Sequence, residues 1–576
     1  MAQETSPLLS QTDYSDYRSG NDHNREDTIT IFTSNSSASS RSDTPTLPPS
    51  DDELLKKRLN GASLYTILSG LWTAVVLSSL DASIVAAIYP QIGTEFKRSN
   101  EIIWIATSYM LSYTALQPLY GRISDVFGRK SAVLFSSVVF FIGSLLCGLS
   151  NSLWSLVIAR AIAGIGGGGI NCMTTVIGAD LVPLRERGKF QGYGNIAYAI
   201  GSVVGAPLGG FLTDAFGWRF CFYINLPFLL VTLYVSTNLL TNYNLTESQM
   251  AESFSEKLKK IDYAGAVTIV LAVVSFVVAT SLGGNTRSWS DTTVVGCLAA
   301  SVVLSILFCF VEAKIAPNPI MPWSIISSRT PFACSLTSFW SLMCNMAMLY
   351  ITPLYFQAVL GFSPSTTGLY SLPKAASAPF GSVLAGIYMS RTGEYKRYAI
   401  FSNFLMIGAL IAYSTWTPET STIAYVLSPI ADGYSLGSLL VLVLIAMHSS
   451  VGSSDMAIVT SMSYLFRSIG GVVGISASSA IFQGVVKNIL VQQIQGPNAE
   501  LYIEIARKSM TEVRSLLPPD VLVIVIDAYQ VAYRYTCYAC LIFAVLSLIS
   551  TLFIERYDLA TKDFGVFTSN SHWNFR

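Results

Sequence analysis

Charge is what this sequence has least of. Only 12% of its 576 residues are Asp, Glu, Lys or Arg, about half the ~25% of a soluble domain. That deficit excludes a water-facing globular protein. The charge that is present balances, 35 basic against 35 acidic residues, so no basic surface for a nucleic-acid partner is expected. Metal-ligating patterns are missing as well. Cys537 and Cys540 form a C-x-x-C pair, but no second pair or histidine cluster accompanies it, so neither a metal nor a redox role is expected. The nine cysteines fall within or beside apolar blocks and read as small apolar residues. No nucleophile–base set and no phosphate loop appears. The Gly164–Gly169 run lacks the Gly-Lys-Ser/Thr ending and lies in an apolar stretch. An enzyme is therefore not expected, nor a cofactor. The first apolar block starts near Ala62, too late for a cleavable signal peptide, so the first helix is expected to act as its own insertion signal.

Apolar sequence in long blocks takes the place of charge: 51% of the chain is hydrophobic. About 20 apolar residues cross the hydrocarbon core as a helix. The pattern predicts fourteen such spans, at 63–90, 102–120, 131–150, 154–178, 190–212, 220–241, 263–283, 291–312, 332–356, 365–389, 398–416, 424–447, 456–482 and 533–554. The fold class is thus an all-α polytopic membrane protein, embedded in a lipid bilayer. Residues 1–60 are polar and poor in large apolar side chains, which predicts a disordered tail; residues 556–576 form a C-terminal tail whose last dozen or so residues read the same way. Short loops after even-numbered spans carry the basic residues, among them Arg122, Arg129 and Lys130, then Arg185, Arg187 and Lys189, and later Arg391, Lys396 and Arg397. The positive-inside rule makes that side cytosolic and places both tails there. The glycosylation triplets at Asn35 and Asn244 would then stay unmodified.

Two pairs of segments repeat at nearly one offset. Gly121-Arg-Ile-Ser-Asp125-Val-Phe-Gly128-Arg129-Lys130 resembles Gly386-Ile-Tyr-Met-Ser390-Arg-Thr-Gly393 followed by Lys396 and Arg397, and Ile200-Gly201-Ser-Val-Val-Gly205 resembles Ile469-Gly470-Gly-Val-Val-Gly474. The offsets imply two related halves: a six-helix bundle at 61–242 and another at 330–555. Between them lie a cytosolic loop at 243–262 and two inserted helices at 263–313. Carriers built this way bind solute at the interface of the halves and rock about it.

Gly121 to Lys130 matches the loop signature G-x-x-x-D-x-x-G-R-K of the major facilitator superfamily, and Arg160 with Gly164 matches its fourth-helix motif. Gly201, Gly205, Pro207, Gly209 and Gly210 resemble the fifth-helix antiporter motif, with Pro207 one residue late after Ala206. Leu80-Asp81, Trp218-Arg219 through Asn225 and Pro227, and Tyr355-Phe-Gln357 with Gly361 resemble the fourteen-span drug:proton antiporter branch. Gln117-Pro118-Leu-Tyr-Gly121 and the acidic, serine-rich tail are similar to fungal vacuolar basic amino-acid transporters. The resemblance covers residues 63–555. It implies a major facilitator fold of two six-helix bundles plus two inserted helices. It also implies transport driven by a proton gradient, and cytosol-to-vacuole antiport of lysine, histidine or arginine; a monomer is the default expectation, which no residue pattern fixes. A plasma-membrane exporter of drugs or metabolites and a non-transporting nutrient receptor are the alternatives.

A charge near mid-bilayer costs about 2.5–3.5 kcal/mol or more and so marks a cavity or a partner. Asp81 and Arg160 are the expected proton-coupling residues, with a permanently paired structural carboxylate and a snorkelling arginine as the alternatives. Asp81, Lys374, Arg467, Gln357 and Asn225 are expected to touch substrate; Arg467, which the repeat aligns with Tyr198, has gating of the second half or an ion pair within it as alternatives. Lys374 could hold a substrate carboxylate, yet it would repel a cationic side chain. Gly121, Asp125, Gly128, Arg129 and Lys130 are expected to latch one conformation, and Gly201, Gly205, Pro207, Gly209 and Gly210 to pack helices. In the tail, Glu4-Thr-Ser-Pro-Leu8-Leu9 fits an acidic dileucine pattern for a vesicle-sorting adaptor.

Overall fold

The computed structural model describes residues 64–557 apart from 97–102, 284–287, 363, 496–497, 509–512 and 514–516. Glu4, Leu8, Leu9 and Asn35 lie outside the described residues. The long helices are α1 (Leu64–Phe96), α2 (Ile103–Phe127), α3 (Arg129–Leu149), α4 (Leu153–Leu181), α5 (Arg187–Phe216) and α6 (Asn225–Asn238). They continue as α7 (Tyr263–Leu282), α8 (Thr292–Lys314), α9 (Arg329–Leu354), α10 (Pro364–Thr392), α11 (Lys396–Ser414), α12 (Thr422–Ser449), α13 (Met456–Gln493) and α14 (Pro519–Leu552). Among the described residues ten helices are long and apolar enough to cross a membrane, or eleven with α5, which bends by 40° at Pro207.

Helix ends follow local chemistry. Ser152 caps α4 in a reciprocal capping box with Ser155, and the Asp262 and Asp291 carboxylates accept from Gly265 and Thr293 to open α7 and α8. The α2–α3 and α10–α11 junctions turn at Gly128 (φ 95°) and Gly393 (φ 70°), a backbone region costly for any residue with a Cβ. These two glycines stand at the matching ends of the repeated segments. The 243–262 loop contains two short capped helices, Glu247–Ala251 and Phe254–Lys259. Several helices outrun the spans read from hydropathy, two of them most: α13 reaches Gln493 and α14 starts at Pro519. Window hydropathy stops where polar residues begin, whereas backbone hydrogen bonding carries the helix on.

Helices α1–α6 pack on one another, as do α9–α14, and α5 and α2 meet α10 and α13 across the two groups. The inserted pair joins through α7, which touches one helix of each group, α2 and α13. Its Thr280 carbonyl accepts from Ser476 Oγ at 3.0 Å. Outside it, α8 exposes Val302, Val303, Ile306 and Phe310, a face suited to lipid.

Packing repeats with the sequence. A Cβ at Gly201 would strike the Val76 carbonyl and one at Gly205 that of Leu80; in the second group the clashes are Gly470 with Phe339 and Gly474 with Met343. The spacing of four is identical in both, so the α1–α5 contact recurs as α9–α13. Gly164 and Gly168 against Tyr109 and Tyr113 recur likewise as Gly433 and Gly437 against Lys374 and Ala378. The fifth-helix motif needs one correction. Gly209 packs on Ile84, but Gly210 meets nothing within 4 Å and Pro207 is exposed, because a helix turns 100° per residue and only the i, i+4, i+8 set shares a face. Gly474→Ala is expected to destabilise the protein by about 1–3 kcal/mol, since backbone cannot move aside, and Gly210→Ala to leave it unchanged. Thermal unfolding of the purified chain measures both.

At the end opposite the basic loops, Trp218 Nε1 and Arg219 (2.8 Å) both donate to Glu95, tying α1 to the α5–α6 turn. The Trp218 hydrogen bond is the main reason the Glu95 carboxyl lies below its ordinary range, and Arg219 adds to it.

Candidate functional site: a central cavity and two buried ion pairs

Helices that cross at an interface leave space where their side chains are small. Between the two groups of six lies a cavity of about 430 Å³, within the range of small-molecule sites. On α13, Arg467, Ser468, Gly471 and Ile475 face it, and on α5 Gln191, Asn195, Tyr198 and Ser202 do; both sets follow the three-to-four spacing of one helix face. Tyr198 and Arg467, which the repeat aligns, thus point into the same space. Arg467 donates from Nη2 to the Leu440 carbonyl at 2.7 Å, and its guanidinium lies 5.3 Å from the Tyr464 ring.

The cavity is closed at the end that carries the basic loops. Ser468 donates to Gln117 Oε1 (3.0 Å), Asn195 Nδ2 donates to Ser382 (2.8 Å), and Thr175 pairs with Tyr464 (2.7 Å). Nearer that end Cys172 meets Ser461 (3.3 Å), and Arg185 Nε donates to the Ser390 carbonyl (2.6 Å). Glycines seal the seam: Gly121 lies against Ala457, and Gly386 against Gly188. These contacts are again related by the repeat.

Asp81 and Arg160 do meet, at 2.5 Å, and each is 1% exposed. Asn225 Nδ2 donates to the other carboxylate oxygen at 3.2 Å, and the Tyr109 ring lies 4.2 Å from the guanidinium. The close α2–α4 approach at Gly164 brings Tyr109 there. The expectation that Asp81 and Asn225 touch substrate is corrected: neither lines the cavity, because their side chains converge on Arg160 inside the first bundle. A polar chain still connects the two places. Tyr109 Oη is 3.4 Å from Ser78 Oγ, which accepts from Asn171 Nδ2 at 3.0 Å, and Asn171 lines the cavity.

Lys374 is paired with Asp432 at 2.7 Å and donates to the Asn345 carbonyl, while Tyr413 reaches the same carboxylate. Lys374 lines a smaller pocket of about 150 Å³ beside the main cavity rather than the cavity itself. Its charge is answered by Asp432, so the repulsion expected of a lone lysine is absent. Asp432 went unnoticed in the sequence, although the rule that found Lys374, a charge inside an apolar span, applies to it equally. Gln357 sits on a π-helical turn, Tyr355–Val359, half-buried and lining neither space. A wider helical turn re-aims every side chain on it, which spacing alone does not reveal.

The expected latch is partly redrawn. Arg129 bonds Asp125 (2.7 Å), Ser124 (2.7 Å) and Asp180 (2.8 Å), and Lys130 Nζ donates to the Thr237 carbonyl (2.6 Å), all within the first bundle. Asn244 joins them, accepting from the Arg129 amide and donating to the Ser124 carbonyl. Of the signature, Gly121 reaches across, by close packing on Ala457; outside it, Arg185 does so by hydrogen bonds to the Ser390 and Arg391 carbonyls.

Fold and site together define a class: a helical membrane carrier with a solute-sized cavity between two halves related by an internal repeat. The chain belongs to the Major Facilitator Superfamily, whose pattern residues 71–475 match, and whose members are transporters, not enzymes. It is 35% identical over 512 residues to "Multidrug resistance protein fnx1" of Schizosaccharomyces pombe, covering 88% of this chain and 95% of that protein. It is 34% identical over 515 residues to "Vacuolar membrane amino acid uptake transporter fnx2" of the same organism, covering 89% and 88%. Among solved structures the human organic anion transporter MFSD10 superimposes with a TM-score of 0.55 at 13% identity, covering 85% of this chain and 99% of that one. At that identity it speaks to the fold alone.

Proposed function

We propose that this chain is a proton antiporter of the vacuolar membrane that loads amino acids, the basic ones lysine, histidine and arginine among them, from the cytosol. Fourteen spans and cytosolic tails go with this reading, as does an adaptor-read sorting signal at Glu4, Leu8 and Leu9. The observation that carries it is the Asp81–Arg160 pair, out of reach of cargo yet joined to the cavity through Tyr109, Ser78 and Asn171. A proton arriving at Asp81 cancels the charge that holds Arg160 and loosens α1 from α4. Because α1 also packs on α5, whose face lines the cavity, the change reaches the cargo site. Similarity to a vacuolar amino acid uptake transporter supports the address and the cargo class. A second reading, a plasma-membrane exporter, is favoured by the apolar side chains along much of the cavity wall and by the relative named for multidrug resistance.

One-for-one exchange of a proton for a monovalent cation moves no net charge, so only the pH difference drives it, at about 1.4 kcal/mol or tenfold accumulation per pH unit. Isolated vacuoles bearing the chain are expected to accumulate labelled lysine in proportion to the imposed pH difference. Uptake that survives collapse of that difference excludes proton coupling, and a tagged chain found only at the plasma membrane favours the exporter.

A further inference from the structure

We infer that the cavity selects cargo by its carboxylate, which Arg467 holds. The inference rests on the reading that this cavity is the transport site, and adds what chemistry the cargo must carry.

The basic side chains lining the cavity are Arg187, His448 and Arg467; no Asp or Glu is in the lining. Arginine cannot shed its charge, so burying it calls for an anion or a full set of acceptors. The protein supplies neither in full. Arg467 is 8% exposed, and beyond the Nη2 bond to Leu440 its Nε has no hydrogen-bond partner. Arg187 is 6% exposed, gives Nε to the Val182 carbonyl at 3.0 Å, and leaves Nη1 without a partner. The Asn345 amide nitrogen is in the same condition. Among the described residues no salt bridge involves Arg187 or Arg467, and Asp81, Asp180 and Asp432 are engaged with Arg160, Arg129 and Lys374.

Unanswered N–H donors on two guanidinium groups and an amide, with no carboxylate in the lining, describe a site for an oxyanion; Thr174 Oγ1 and His448 Nδ1, also without partners, are the other unanswered polar atoms of the wall. Carboxylate suits it, because an arginine N–H fork pairs with two carboxylate oxygens. The remaining wall, with Trp72, Tyr113 and Tyr198, suits an apolar or aromatic body, and its ring faces can accept a cationic side chain without an acid. A basic amino acid therefore binds by its α-carboxylate, and its side-chain charge is not the selecting feature.

The test uses the full-length chain in proteoliposomes with an imposed pH difference. Cadaverine keeps both amines of lysine but lacks the carboxylate. In large excess it is expected to leave lysine uptake unchanged, whereas unlabelled lysine abolishes it. Arg467→Gln is expected to raise the half-saturating lysine concentration about tenfold or more, with partial recovery in Arg467→Lys. If Arg467→Gln fails to fold, Asn345→Asp serves instead; it puts an acid in the cavity and is expected to weaken lysine and admit cadaverine. Equal competition by cadaverine, or wild-type affinity in Arg467→Gln, overturns the inference. If no amino acid is carried at all, the amino-acid reading falls, and indole-3-acetate against tryptamine decides this one separately. Thermal stabilisation of the purified chain by the acid and not the amine upholds it; stabilisation by both, by neither, or by the amine alone refutes it.

Discussion

Asp81→Asn is expected to abolish pH-driven uptake while the protein still reaches its membrane. Asn keeps the shape of Asp and can still accept from Arg160, so the α1–α4 contact survives in weakened form. What it cannot do is gain and lose a proton. Truncating the partner has a different cost. Arg160→Leu leaves the Asp81 carboxylate buried at 1% exposure with only Asn225 to answer it, and breaking a buried pair from one side costs about 3–5 kcal/mol. Arg160→Leu is therefore expected at low abundance, and Asp81→Asn with Arg160→Gln together at higher abundance but without uptake. Immunoblots of the membrane fraction and vesicle uptake separate the two effects. Full uptake by Asp81→Asn would assign the carboxylate to structure alone.

The second large effect is expected at the seam. Gly121 and Gly386 lie against Ala457 and Gly188; a larger side chain at Gly386 first meets Gly188 backbone, and one at Gly121 meets the Ser461 hydroxyl and then Ala457 backbone. Gly386→Val adds three carbons where the structure has none to spare. It is expected to hold the halves apart at the basic end and to stop the cycle, with uptake at background. The buried Cys172 reports on this, since its thiol meets Ser461 across the same seam. A thiol reagent should leave Cys172 untouched in the wild type as held here and label it in Gly386→Val. Normal uptake with a protected Cys172 would mean that the seam has slack.

Much of the fold was legible. Apolar blocks marked the long helices, and the glycine repeats marked α5 and α13 for close packing, while the structure supplied their partners, α1 and α9. The site was legible only in its residue types. Asp81 and Arg160 were singled out and found together, whereas Asn225 was assigned to cargo and serves Asp81 instead. Arg467 and Tyr198, aligned by the repeat, both line the cavity, but Lys374 was read as a lone charge because Asp432, 58 positions on, was overlooked. Arg185 counted only as a marker of orientation and turned out to cross the seam.

By itself the sequence determined that this chain lives in a membrane as two repeated helical halves, and which polar groups are withdrawn from water. Each of those follows from a local cost, apolar surface in water or charge in hydrocarbon, paid or avoided within one helix. Which charges answer one another, and which are left facing the cavity, was decided only in three dimensions. Partnership depends on how deep each helix sits and how far it is rotated against its neighbours, and that is set by packing among segments distant in the chain.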